Sequence, residues 1–159
     1  MDWPVDPGLS DKFGWVLDHL HELRRAYQPD HGLSHQQLRR LVLGFCGECH
    51  DTRDWLSPPA LPPKNTRTSV ETHWYNDADL PICSAATNRY KHLDKPLKNG
   101  KTSDWAQVVW TSTEPTGCVA TIDYRPVEGT QRTADALQLA EAAVASLRAY
   151  FVHEGMTEP

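Results

Sequence analysis

The feature that most restricts this chain is a change in the period of its apolar residues near residue 105, reversed near residue 133. Before the change, apolar side chains recur every three or four positions, the pattern of one face of an α-helix. From Trp105 to Thr113 and from Cys118 to Arg125 they alternate, in stretches rich in Val, Thr, Ile, Trp and Tyr. Glu114-Pro115-Thr116-Gly117 lies between the two stretches, so the segment predicts a β-hairpin over about residues 105–126. The helical period then returns through Leu137, Ala140, Val144, Leu147 and Phe151, with Thr133 as the expected cap. The fold expected is mainly α: a four-helix-type bundle with one antiparallel β-hairpin inserted before the C-terminal helix.

Local signals place the remaining helices. Ser10 is the expected N-cap of a first helix whose stripe is Phe13, Val16, Leu17, Leu20, Leu23 and Tyr27, ending before Pro29 and Gly32. Ser34 and Gln37 have the spacing of a capping box, and Leu33 and Leu38 that of a hydrophobic staple. The second helix runs from there along Leu41, Val42, Phe45, Cys49 and Thr52 to Leu56. A Pro-rich connection covers about residues 57–68 and is too short to divide the 159-residue chain, which reads as one domain. A short helix is expected from Val70 to Asn76 with Trp74 turned inward. Another is expected after a cap at Asp79, with Leu80, Cys83, Thr87 and Tyr90 on its buried side. Residues 95–104 hold Pro96, Asn99-Gly100 and several lysines, the composition of an exposed loop.

Composition limits the function classes. No apolar run approaches the length that spans a bilayer, and Met1-Asp2-Trp3-Pro4-Val5-Asp6 has no secretory n-region or h-region, so a cytoplasmic location and no membrane partner are expected. Four cysteines in such a setting are expected as thiols. A formal net charge of −5 gives no global field for nucleic acid, so any phosphate binding must rest on a local basic patch.

Three segments can carry chemistry. Cys46-Gly47-Glu48-Cys49-His50 matches the haem-attachment pattern, but the only methionines are Met1 and Met156 and no export signal is present, so no cofactor is expected. On a helix, Cys46, Cys49 and His50 can also converge on zinc, which makes a Cys/His metal-binding protein one alternative. In the second segment, His50, Arg53 and Asp54 stand at i, i+3 and i+4 and so share a helix face; in the third, Asn88, Lys91 and His92 do the same. If the two faces meet, they combine a titratable base or acid with cations. Phosphodiester cleavage needs both: a base for the attacking hydroxyl and positive charge for the phosphorane. The competing reading of the first face is a paired, buried polar network, and that of the second is solvated Arg89, Lys91 and His92 complementing the C-terminal helix dipole.

The H-x-x-R-D-W segment at His50–Trp55 and the N-x-x-K-H-L segment at Asn88–Leu93 resemble a group of bacterial helical proteins similar to HEPN-like domains. That resemblance implies a component of a phage-defence or toxin–antitoxin system acting as a metal-independent ribonuclease. The catalytic residues of that group are not carried over; on the clustered chemistry instead, His50 or His92 would be the base or acid, Arg53 and Lys91 would stabilise charge, and Asp54 and Asn88 would orient them. RNA or a partner protein is the expected partner, and a homodimer the expected assembly. The chain departs from the active pattern of that group, which separates its Arg and His by roughly four to six residues. Arg89 and His92 are closer than this, whereas Arg25 with His31, Arg67 with His73 and Arg148 with His153 fit by spacing, the last alone lying wholly on an expected helix. The alternative is a non-catalytic binding or accessory module, contacting its partner through Trp3, Trp15 and the loop Lys95–Lys101.

Overall fold

The helical and alternating periods separate in space as they do in sequence. A computed structural model describes residues 7–56, 67–91, 104–156 and 158–159. In chain order the elements are α1 (Pro7–Ala26), α2 (His35–Trp55), α3 (Arg67–Asn76), α4 (Leu80–Lys91), β1 (Trp105–Ser112), β2 (Val119–Arg125), β3 (Arg132–Asp135) and α5 (Ala136–His153). The chain is thus mainly helical, with a small antiparallel sheet before its last helix. Among the described residues no helix is long and apolar enough to cross a membrane.

At α2, α4 and α5 the helix starts where first-turn amides find a side-chain acceptor. At α2 the capping box forms as expected: Ser34 Oγ accepts from Gln37 N at 3.1 Å, and Ser34 N donates to Gln37 Oε1 at 2.8 Å. Such a cap contributes about 1 kcal/mol. The four other starts differ from the sequence reading, and α3 begins at Arg67, ahead of the expected Val70. α1 begins at Pro7, so Ser10 lies inside it. At α4 it is Asp77 whose Oδ1 accepts from the amides of Asp79 (2.8 Å) and Leu80 (2.9 Å), while Asp79 Oδ1 lies 2.9 Å from the Arg132 guanidinium. Asp135, not Thr133, caps α5 by accepting from Gln138 N at 3.0 Å. Thr133 is drawn into a third strand, paired with Asp123, which moves the helix start along the chain.

The sheet order is β1-β2-β3, all antiparallel, so the expected hairpin gains one short strand. Its inward face is made by Ala106, Val108, Ala120, Ile122 and Ala134, all buried. The β1–β2 register slips between Val108 and Trp110, and a bulge of this kind turns the following side chains outward. Val109 and Trp110 are accordingly exposed. The β1–β2 turn docks on the α1–α2 connection, where Asp30 N donates to Pro115 O and Cys118 N to Ala26 O. Gly117 is required there: its φ is 133°, and a Cβ would stand 2.4 Å from the Tyr27 carbonyl oxygen.

α1 packs along α2, α2 along α4, β1 across α4, and α5 closes against α1 and the sheet. The core joins these layers through Phe13, Phe45, Trp74, Phe151 and a set of leucines, with Phe13 and Phe151 edge to face at 5.1 Å. The stripes expected for α2 and α5 are buried, apart from half-buried Leu41 and Leu137. α4 is buried almost all round from Leu80 to Thr87, whereas Tyr90, expected inward, is exposed.

Candidate functional site

Antiparallel packing of α2 on α4 decides where the two polar segments go. The C-terminal part of α2 meets the start of α4: His50 Nδ1 lies 2.8 Å from Ser84 Oγ, which also accepts from Trp74 Nε1 at 2.8 Å. The N-terminal part of α2 meets the end of α4, where Arg39, Arg40 and Leu43 face Ala86, Arg89 and Tyr90 across a groove. From Arg39 to His50 the helix rises roughly 16 Å. The expected meeting of the His50 face with the Asn88 end of α4 is therefore not made, because antiparallel neighbours set like ends apart. Asn88 is exposed at the far end. The Lys91 side chain and all of His92 lie outside the described residues, as do Trp3 and the loop 95–101.

At its own end, the His50 face is partly closed, with His50 itself buried against Ser84. His50 is 7 % exposed. Arg53 donates to the Tyr75 hydroxyl at 2.7 Å and approaches Asp54 only to 3.8 Å, which leaves its buried Nε without a hydrogen-bond partner. The Asp54 carboxylate is mostly exposed. Next to His50, the thiols of Cys46 and Cys49 both contact Cys83, and all three are buried. The Cys83 contact, with burial, pushes the Cys46 thiol well above its usual range. For Cys83, contact with Cys46 pulls its pKa down, but Cys49 and burial together push it well up on balance. Neutral thiols of this kind are packing groups and poor nucleophiles. Among the described residues no group of three or more His, Cys, Asp or Glu is placed to hold a metal ion, so Cys46, Cys49 and His50 do not assemble the zinc site that their spacing allows.

The groove at the opposite end was not foreseen. Its walls are α2, through Gln36, Arg39 and Arg40, and α4, through Arg89 and Tyr90. Its floor is Leu43, Ala86, Ala106 and Val108, with Gln107 of β1 at the side, around a cavity of ≈ 290 Å³. Arg39 is fixed by donating to Val108 O at 3.0 Å, beside the β1 bulge. The Arg89 guanidinium lies 5.9 Å from the Trp105 ring centre, and Arg125 lies 4.8 Å from the same ring. Tyr90 stands at the mouth, 62 % exposed.

Charge pairing singles this groove out. Arg24, Arg25, Arg53, Arg125, Arg132 and Arg148 each have a carboxylate within ion-pair reach. Among the arginines whose side chains are described, only Arg39, Arg40 and Arg89 have none, and all three line the groove. A larger recess of ≈ 490 Å³, bordered by Asp77, Asp104 and Glu128, has no Lys or Arg in its lining. Only the first is suited to an anion. The sequence did carry a signal for it: Arg39-Arg40 on the polar side of α2, without acidic residues one turn away.

A third polar region joins α3 to α5. The His73 and Tyr150 ring centres lie 4.5 Å apart with their planes tilted by 49°, and His73 Nε2 and Tyr150 Oη are buried without hydrogen-bond partners. Burial lowers the His73 pKa; nearby Asp77 opposes this shift and His153 adds to it. Burial also pushes Tyr150 up to about 12. Both Arg67 and His73 lie within α3, so the Arg148–His153 pair is not alone in lying wholly on one helix.

No family model matches the chain, and neither a curated protein nor a solved structure matches it.

Proposed function

We propose that this protein is a binding module for RNA, held at the groove between α2, α4 and β1, and that it holds its ligand without cutting it. One observation carries the reading: the three described arginines that lack a carboxylate partner all line one groove. Unpaired guanidinium groups around an apolar floor favour a phosphate-bearing ligand, since each can form a charge-assisted, bidentate hydrogen bond to phosphate. The resemblance to HEPN-like domains supports RNA as the source of that phosphate and a defence or toxin–antitoxin system as its setting. It also implies a ribonuclease. Binding is preferred over cleavage because His50 is buried against Ser84, away from the groove.

Anisotropy of a labelled single-stranded RNA, titrated with the protein at several salt concentrations, tests this. The expected result is binding that weakens with salt, with a shallower slope in Arg40→Ala/Arg89→Ala. No binding at low salt would remove the proposal. Cleavage of the RNA during the titration would restore the ribonuclease reading.

A further inference from the structure

The groove is small and has two unlike parts, and both facts bear on what it holds. A cavity of ≈ 290 Å³ lies at the lower end of the range for small-molecule sites, so it suits a single monomer unit and has no room for a duplex. Its floor of Leu43, Ala86 and Val108 offers apolar contact with no charge. Gln36 and Gln107 in the lining each carry an amide NH2 that donates and a carbonyl that accepts, beside the three guanidinium groups. A free phosphate would use the guanidinium groups and gain nothing from the floor. A nucleotide uses both.

We propose that the groove takes one unstacked nucleotide of a single strand, its base against Leu43, Ala86 and Val108 and its flanking phosphates on Arg39, Arg40 and Arg89. The edge of the base meets Gln107 and Gln36, and exposed Tyr90 at the mouth stacks the next base. Single strands are recognised in this way elsewhere: a basic groove tracks the backbone, and aromatic rings stack the bases regardless of sequence. Arg39 is the positioning group, since its hydrogen bond to Val108 O ties the α2 wall to the strand beneath the base. This inference rests on the RNA-binding reading and goes further by fixing the strandedness and the unit bound.

The test uses the full chain and three probes: a labelled single-stranded hexanucleotide, the same strand annealed to its complement, and AMP or inorganic phosphate as competitor. Single strand should bind at least tenfold more tightly than duplex. AMP should displace it at concentrations where inorganic phosphate does not. Leu43→Trp, which fills the floor and leaves every arginine in place, should weaken the single strand about tenfold, and Tyr90→Ala should do so to a similar extent. Equal binding of single strand and duplex, or equal displacement by AMP and phosphate, would overturn the one-nucleotide pocket while leaving RNA binding intact. Absence of binding by every probe would remove both. Tyr90 is exposed, so its variant keeps the test decisive even if Leu43→Trp unfolds.

Discussion

The two ends of the α2–α4 pair make opposite use of polar residues. At one end α3 lies over the helices and inserts Trp74, and the polar groups there are turned into a closed set: Ser84 Oγ serves both Trp74 Nε1 and His50 Nδ1. At the other end β1 packs on α4, and the small side chains of Ala86 and Ala106 both line an open groove. At the first end Arg53 has a carboxylate within ion-pair reach, Asp54 at 3.8 Å, whereas the guanidinium groups at the second have no counter-charge among the described residues. Burying a polar group is tolerated once its hydrogen bonds are made, but burying an unpaired charge is not. The same two helices therefore hold a structural knot at one end and an open groove lined by arginines at the other.

That contrast can be broken by substitution, and the largest effect is expected at the knot. Trp74→Ala removes a fully buried indole and should cost about 3–5 kcal/mol in urea unfolding. Next comes the groove, where Arg40→Ala/Arg89→Ala should weaken RNA by at least tenfold, with an unfolding midpoint close to wild type. A large loss of stability in that double variant would mean that the arginines serve the fold instead. Third, His50→Ala leaves Ser84 and Trp74 with a broken network and should cost about 1–3 kcal/mol. RNA affinity should not change in this variant, and a drop in affinity without a drop in stability would move the site back to the His50 face.

The smallest effect concerns pH. His73 has its pKa lowered by burial from the usual 6.5, so as pH falls through that value the unfolded chain takes up a proton before the folded one. His73 therefore has no cost above about pH 6.5 and destabilises below it, levelling off once the folded form also protonates. Unfolding midpoints at about pH 7.5 and about pH 5.5 should differ less in His73→Gln than in wild type. An unchanged difference would assign the acid sensitivity to another group.

Most of the helical frame was legible because its signals are local. The capping box of Ser34 and Gln37 and the stripe from Val42 to Leu56 both rely on neighbours within a few residues, and both are present in the structure. Capping at Asp77 and Asp135 was misplaced because several acceptors stood within reach of each helix start. Pairing of β3 with β2, and the Arg132–Asp79 contact, selected among them. The site was harder to read. His50, Arg53 and Asp54 do share a face with chemical potential, but whether that face opens to solvent depends on Trp74 and Tyr75, more than twenty residues away along the chain. The groove needed three elements at once, and no window of sequence spans Arg39, Arg89 and Val108.

Sequence alone determined the periods, and through them the succession of helices, the hairpin and the return to helix, because hydrophobic periodicity and capping act between residues one turn or one pleat apart. It also determined that no global charge would draw in a polyanion, since net charge is additive. Only the tertiary structure decided that α2 and α4 run antiparallel. That choice separates the two polar segments, buries His50 against Ser84 and gathers Arg39, Arg40 and Arg89 into one groove. The physical reason is that pairing, burial and field depend on distances through space, which chain order does not fix.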